Sequence, residues 1–281
     1  DQFRIIREIG RGGMGVVYEA EQLAPLRRVA LKLIRSERPT RTLSSRLRRE
    51  AEVLGMLQHP GIAQIYQAGE HDGSPYIVME LIKGAPLLDA ALRLSLRDRV
   101  RLLIRIIDAV HHAHQKGVIH RDLKPDNILV VQAPRSGDPQ PKVVDFGIAR
   151  ATEEANRATL AASLTLAAGG SFLGTLAYMA PEQLDGGDAA DVRSDVYALG
   201  MIAYELLTGV RAIELKGLPV AAAVRAVMDA SPERAGALNP SLRGDIETIL
   251  GKAIHPDREQ RYQSAFELAG DLRRFLAREP I

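Results

Sequence analysis

The chain opens on alternation. Phe3, Ile5 and Arg7-Glu8-Ile9 lead into a glycine-rich turn, and Val16-Val17-Tyr18-Glu19-Ala20 and Val29-Ala30-Leu31-Lys32-Leu33-Ile34 follow as further strand-like runs. A period of two rich in β-branched residues predicts an antiparallel sheet. Ser44-Ser45 then offers a helix start, and Leu47, Val53, Leu54 and Leu57 recur at roughly helical spacing until His59-Pro60-Gly61 ends the run. Two more strands are predicted at Ile62 to Ala68 and Tyr76 to Leu81, and Lys83-Gly84-Ala85-Pro86 reads as a linker. Beyond it the period changes. Leu96 to Gln115 carries apolar residues at three- and four-residue intervals, with Val100, Leu103, Ile107 and Val110 on one stripe, which predicts a buried amphipathic helix. Further helices are predicted at Asp191 to Thr208, Pro219 to Met228, Leu242 to Ala253 and Ser264 to Leu276. The pattern predicts an α+β, two-lobed fold: residues 1–82 a small antiparallel sheet with one helix, residues 83–281 a larger, mainly helical lobe, together one domain.

One stretch departs from this pattern. Ala158 to Pro181 holds no charged side chain, and its length of roughly 20 residues matches a membrane span. Thr159, Ser163, Thr165, Gly169, Gly170, Ser171, Gly174 and Thr175 make it too polar and glycine-rich to be one. A loop is predicted instead, so no membrane contact is expected from this segment. Composition narrows the classes further. Of the 281 residues, 46% are hydrophobic and 26% charged, with a net charge of +2, which disfavours disordered chains and strong nucleic-acid binders. Cysteine is absent, which removes disulfides, thiolate chemistry and cysteine-ligated zinc and suits a reducing cytoplasm. The chain opens at Asp1 without a Met or an apolar leader and reads as a segment of something longer.

The candidate chemistry lies in four motifs. Gly10-Arg11-Gly12-Gly13-Met14-Gly15-Val16-Val17 fits G-x-G-x-x-G-x-V. Taken alone it could be a hairpin turn or a dinucleotide site, but β-branched residues follow at once where the latter needs a helix. The loop should join two strands and lie over phosphates through its N–H groups, with Met14 excluding water. Val29-Ala30-Leu31-Lys32 follows, where an inward lysine would neutralise phosphates and needs a carboxylate to orient it; Glu50 on the next helix is the expected partner and a candidate activity switch. The remaining two motifs are His120-Arg121-Asp122-Leu123-Lys124-Pro125-Asp126-Asn127 and Asp145-Phe146-Gly147. Phosphoryl transfer needs a carboxylate to receive the acceptor's proton, a cation beside the charged oxygens, and magnesium ligands, and Asp122, Lys124, Asn127 and Asp145 supply those residue types.

With these motifs in place the whole chain resembles a eukaryotic-like serine/threonine protein kinase of the kind found in bacteria. The resemblance implies that Asp122 is the catalytic base, that Lys124 steadies the transferred group, that Lys32 and Glu50 position phosphates, and that Asn127 and Asp145 hold magnesium, with manganese as the alternative metal. It implies an ATP site with Ile9, Val17 and Ala30 as roof, Leu129 and Val144 as floor and back, Met79 guarding a deeper cavity, and the backbone of Glu80 and Ile82 meeting the adenine edge. Gly10, Gly12, Gly13 and Gly15 would cover the phosphates. Lys124 points to serine or threonine acceptors on protein substrates.

Scaffold and regulation follow from the same resemblance. Ala180-Pro181-Glu182 closes an activation segment (145–182), Glu182 should pair with Arg261, Asp195 should brace the catalytic loop, and Thr175 should touch Lys124 and the base. Arg46, Arg121 and Arg150 would form a pocket for a phosphate on that segment, with Ser171 ahead of Thr165, Ser163 and Thr159 as acceptor. Self-association for autophosphorylation is the corresponding expectation. So is a cytoplasmic location, as the intracellular part of a longer membrane-anchored protein. The alternative is a pseudokinase scaffold, disfavoured because Lys32, Asp122 and Asp145 are all present; a small-molecule phosphotransferase is disfavoured by the Ala180-Pro181-Glu182 element. His111, His112 and His114 lack cysteine or acidic partners at ligand spacing and are expected to pack or lie at the surface. Arg46-Leu47-Arg48-Arg49, apart from Arg46, is expected to be a solvated helix face.

Overall fold

The computed structural model describes residues 2–12, 15–34, 51–132, 138–146, 170–184 and 191–281, with side chains from Leu173 onward in the 170–184 segment. The alternating opening folds into a five-stranded antiparallel sheet in which β1 (Phe3–Gly12), β2 (Gly15–Leu23), β3 (Leu26–Ile34), β5 (Ser74–Glu80) and β4 (Ile65–His71) lie in that order. Its two sides differ. β3 is buried along its second half, whereas β1 is an edge strand held to β2 by backbone pairing and by ion pairs such as Arg7 Nε to Glu19 at 2.9 Å. A two-residue turn, Asp72-Gly73, joins β4 to β5 with both φ positive, at 48° and 76°, the backbone that a tight hairpin requires.

Two predicted strands shift. The run expected at Ile62 to Ala68 pairs only from Ile65, because Gly61 and Ala63 bond instead to the strand β8 (Pro139–Val143). Val143 N–H donates to the Gly61 carbonyl at 2.8 Å and Ala63 N–H to the Val143 carbonyl at 2.9 Å. The run expected at Tyr76 to Leu81 is Ser74–Glu80. The expected linker is itself partly a strand: β6 (Ala85–Pro86) pairs with β7 (Ile128–Gln132), which pairs with β8. Gly84 permits this approach, since a Cβ there would sit 2.8 Å from the Val130 carbonyl oxygen.

The helical region is close to its expectation. After the short α1 (Leu87–Ala91), α2 spans Leu96–Gln115 as predicted, started by Ser95 accepting from the Asp98 N–H at 3.2 Å. In the stretch expected to be a loop, Gly170–Leu176 is helical (α3) and Pro181–Leu184 forms a turn of helix (α4). There Leu176, Ala177, Tyr178 and Ala180 are buried, so tertiary packing overrides the glycine and threonine content. α5 (Val192–Thr208) is capped by Asp191 and ends at Gly209 with φ 81°. It is buried on nearly every side, from Ser194 to Leu207, and forms the axis of the helical region. α6 (Val220–Met228), α7 (Ala235–Leu238), α8 (Asp245–Ala253) and α9 (Ala265–Ala277) follow. α8 begins three residues later than predicted because Pro240–Leu242 forms a 3-10 turn. Residues 51–55 are helical, as expected of the helix ending near His59. No helix among the described residues is long and apolar enough to cross a membrane.

Candidate active site

The glycine motif lies in a strand-turn-strand hairpin. Gly10 pairs with Val17, Arg11 with Val16 and Gly12 with Gly15, so two strands flank the turn and no helix opens there. Gly13 and Met14 lie outside the described residues. Lys32 points inward from β3 and is 5% exposed. Its carboxylate partner is Asp145: Lys32 Nζ stands 2.8 Å from Asp145 Oδ2. Glu50, the expected partner, lies outside the described residues.

The catalytic-loop motif is wound around Asp122. Lys124 Nζ donates to Asp122 Oδ1 at 3.1 Å and Oδ2 at 3.0 Å, and to Thr175 Oγ1 at 2.8 Å, the contact expected of Thr175. Asn127 Nδ2 donates to the Asp122 backbone oxygen at 2.7 Å and to Oδ2 at 3.3 Å. That orientation leaves the Asn127 amide oxygen with no protein donor among the described residues. His120 is fully buried, its ring tilted by 51° against Phe146 with centroids 4.5 Å apart. Its Nε2 donates to the Val144 carbonyl at 3.0 Å, which makes Nδ1 the acceptor facing the Asp122 N–H at 3.4 Å. The imidazole thus ties the loop to the residue preceding Asp145.

Two non-glycine residues here adopt left-handed backbone, Arg121 at φ 67° and Asp145 at φ 62°, a conformation retained only where the surroundings impose it. For Arg121 they are visible. The buried Asp195 carboxylate accepts from the His120 N–H at 2.8 Å and the Arg121 N–H at 2.9 Å, as expected of a brace from below. His114 Nε2 is 2.8 Å from the same carboxylate, a contact across 81 residues that spacing could not reveal. Burial pushes the Asp195 carboxyl up, but the His114 hydrogen bond and the nearby imidazoles and N–H groups outweigh it and hold it below the usual range. Gln183 Nε2 also donates to the Arg121 carbonyl at 3.2 Å, joining the loop to α4.

Below this lies the expected pair. Arg261 NH1 and NH2 donate to Glu182 Oε1 and Oε2 at 2.7 and 2.9 Å, and Arg261 is 2% exposed. The guanidinium also donates to the His255, Arg193 and Pro256 carbonyls at 2.5, 3.3 and 2.8 Å, and Ser194 Oγ donates to Glu182 at 2.8 Å. Burial raises the Glu182 carboxyl, yet Arg261 and Ser194 bring it below its ordinary value. Every donor of this buried cation is directed at an acceptor or over the Tyr197 ring, 4.8 Å away.

The residues expected around adenine come from the sheet and from the segment around β7. Ala30 and Met79 are opposite one another on β3 and β5 and buried, Val17, Leu129 and Val144 are half-buried, and Ile9 is 39% exposed. Behind Met79 a small apolar cavity is lined by Leu54, Leu57, Ile65, Phe146 and Asp145. Glu80 ends β5, and Ile82 lies in the segment between it and β6. One participant was not anticipated. Lys142 on β8 donates to Glu80 Oε2 at 2.8 Å and to the Ile62 carbonyl at 3.3 Å, and the Gln64 N–H donates to the same Glu80 oxygen at 3.2 Å. This polar junction joins the end of β5 to β8, the strand that ends two residues before Asp145. Only the sheet topology, which sets β8 beside Ile62, could have pointed to Lys142.

Among the described residues no cluster of three His, Asp or Glu side chains is arranged for a metal. Asn127 and Asp145 each carry a hard oxygen donor, the ligand type that magnesium takes. Of the expected phosphate pocket, Arg46 and Arg150 lie outside the described residues, as do Thr159, Ser163 and Thr165; the same holds for the Ser171 side chain. Arg121 is described, half-buried, and its guanidinium meets no carboxylate among the described residues.

Comparison with known proteins agrees with this geometry. The sequence profile of the "Protein kinase domain" family matches residues 3–269. The chain is 36% identical over 276 residues to the serine/threonine-protein kinase PrkC of Bacillus subtilis, covering 97% of this chain and 40% of that protein. It is 35% identical to the serine/threonine-protein kinase PknB of Mycobacterium tuberculosis, covering 100% of this chain and 44% of that one. The chain thus spans less than half the length of these relatives. Among solved structures, a PknI kinase domain from M. tuberculosis superimposes with a TM-score of 0.73 at 24% identity, covering 97% of this chain and 94% of that one, which bears on the fold.

Proposed function

Because the chain belongs to the protein kinase family, we propose that it transfers the γ-phosphoryl group of magnesium-ATP to serine and threonine hydroxyls of proteins. The observation that carries this reading is the contact of Lys124 with both Asp122 and Thr175, alongside Lys32 and Asp145 within 2.8 Å. In this reading Asp122 accepts the acceptor hydroxyl's proton as the new O–P bond forms and the bond from γ-phosphorus to the bridging oxygen breaks, releasing ADP. Lys124 stays beside the transferred oxygens. Lys32 would face the phosphate oxygens, and Asp145 and Asn127 would hold the metal. Bound magnesium, or manganese, supplies positive charge to the phosphate oxygens. Adenine sits where residues 1–82 meet 83–281, against Ile9, Val17, Ala30, Leu129 and Val144, with its edge on the Glu80 and Ile82 backbone and the phosphates under Gly10, Gly12, Gly13 and Gly15.

Regulation by autophosphorylation of the activation segment belongs to the same proposal. Arg121 is the described member of the phosphate pocket, and a phosphate there would draw on a cation adjacent to the proposed base. In this reading the chain is a cytoplasmic catalytic part that meets protein substrates and second copies of itself. Transfer of labelled γ-phosphate to a generic protein substrate tests the activity. Transfer that Asp122→Asn abolishes is expected; nucleotide binding without transfer would favour a pseudokinase, and transfer only to small molecules a different phosphotransferase. Absence of phosphate between Ala151 and Tyr178 in active protein would overturn the regulatory part.

A further inference from the structure

Four histidines gather where the loop His59-Pro60-Gly61 meets α2, and the function proposed above uses none of them directly. The His59 and His112 rings stack at 5.1 Å with an interplanar angle of 27°. The loop lies so close to α2 that a Cβ on Gly61 would stand 2.9 Å from the Ala109 Cβ. His59 Nδ1 accepts from the Gly61 N–H at 3.0 Å, so its one proton is on Nε2. His112 Nε2 is buried with no hydrogen-bond partner. An added proton would therefore displace the Gly61 bond or create a buried, unpaired imidazolium N–H.

The charges around the stack offer little relief. On α2, Asp108 is held by Arg273 of α9 through bonds of 2.6 and 2.7 Å, His111 packs at 5.5 Å on Phe266 of α9, and His114 is engaged by Asp195. On β8, Lys142 presents a cation bound to Glu80. Each neighbouring carboxylate is thus already paired. The stacked loop is connected in two directions: Gly61 and Ala63 bond to Val143, two residues before Asp145, and α2 leads through His114 and Asp195 to Arg121.

We propose that the His59–His112 stack is a proton-sensitive latch between the sheet and the helical region. With His59 neutral the loop is seated on α2 and β8; proton uptake by His59 parts the rings and loosens the frame shared by Asp145 and Asp122. Burial lowers the proton affinity of His59 and His112 lowers it further, with Asp108 opposing and Lys142 adding to the decrease. The folded protein then binds fewer protons than the unfolded chain just below the ordinary imidazole value of about 6.5. Latch stability is complete above that value and declines as pH falls through it.

The test compares the unaltered protein with the double variant His59→Asn, His112→Phe, which keeps an acceptor for Gly61 N–H and a ring on α2 but titrates at neither position. Melting temperature and phosphotransfer rate are followed from about pH 7.5 to about pH 5.5. The unaltered protein is expected to lose melting temperature over this range, and its rate ratio to fall roughly threefold further than the variant's. Superimposable profiles for the two proteins would overturn the latch. The melting arm does not depend on the assigned activity, so a failure of the kinase reading and a failure of the latch are distinguishable. Should the variant not fold, the imidazole C2 protons of the unaltered protein decide: His59 is expected to titrate below the ordinary value, and a His59 already charged at about pH 7 would overturn the proposal.

Discussion

The roof and the floor of the cleft are built differently. Above it, β1 and β2 carry ion pairs at the surface, such as Arg4 with Glu21 and Arg11 NH2 with Glu8 at 2.6 Å, whose arginine side chains are more than half exposed. Below it, Asp195 and Arg261 are 1% and 2% exposed, and each charge is surrounded by partners from several segments. An exposed pair is solvated with or without its partner, while a buried one leaves an uncompensated charge when it is cut. The roof is therefore able to yield as a nucleotide enters, and the floor holds Asp122 and the left-handed Arg121 in place.

Substitutions should rank accordingly. Arg261→Ala leaves Glu182 half-buried without its main partner and is expected to cost about 3–5 kcal/mol, read from the melting temperature; an unchanged value would remove the contrast. The Glu182 carboxyl also sets an acid limit. Its folded pKa lies below that of the unfolded chain, so the pair's contribution is present above the unfolded value of about 4.3 and is lost as pH falls through the folded one. Arg261→Ala should flatten that limb of a melting-temperature profile. Asp195→Asn removes the charge from three hydrogen bonds and is expected to cost about 2 kcal/mol while also lowering the transfer rate; a stability loss with an unaltered rate would mean that the brace does not reach Asp122. Lys142→Met frees a partly solvated Glu80 and is expected to weaken ATP binding by about fivefold, roughly 1 kcal/mol, seen as a raised KM with kcat nearly constant. Arg4→Ala on the roof should leave the melting temperature unchanged within error.

The same contrast governs what could be read from sequence. Local patterns transferred well: alternation in β1 to β3, the 3.6 period of α2, and the helix starts expected at Leu96, Asp191 and Ser264 all operate within a few residues of themselves. The Glu182–Arg261 pair and the Asp195 brace were expected from the family resemblance and not from any local pattern. What stayed hidden depends on topology. Lys142 meets Glu80 across 62 positions and His114 meets Asp195 across 81, and neither has a local signature. The helix at Gly170–Leu176 was hidden for a related reason, since its glycines and threonine argue against helix and only the burial of the neighbouring Leu176 and Ala177 favours it.

The central claim is that Asp122 receives the acceptor's proton on a floor whose geometry survives its neutralisation. Binding and turnover of Asp122→Asn, measured side by side by Mg-ATP calorimetry and labelled phosphate transfer to protein, address it most directly. Near-normal ATP affinity and melting temperature with transfer reduced by about 10²–10⁴-fold is the expected result. Transfer at the unaltered rate would contradict the account.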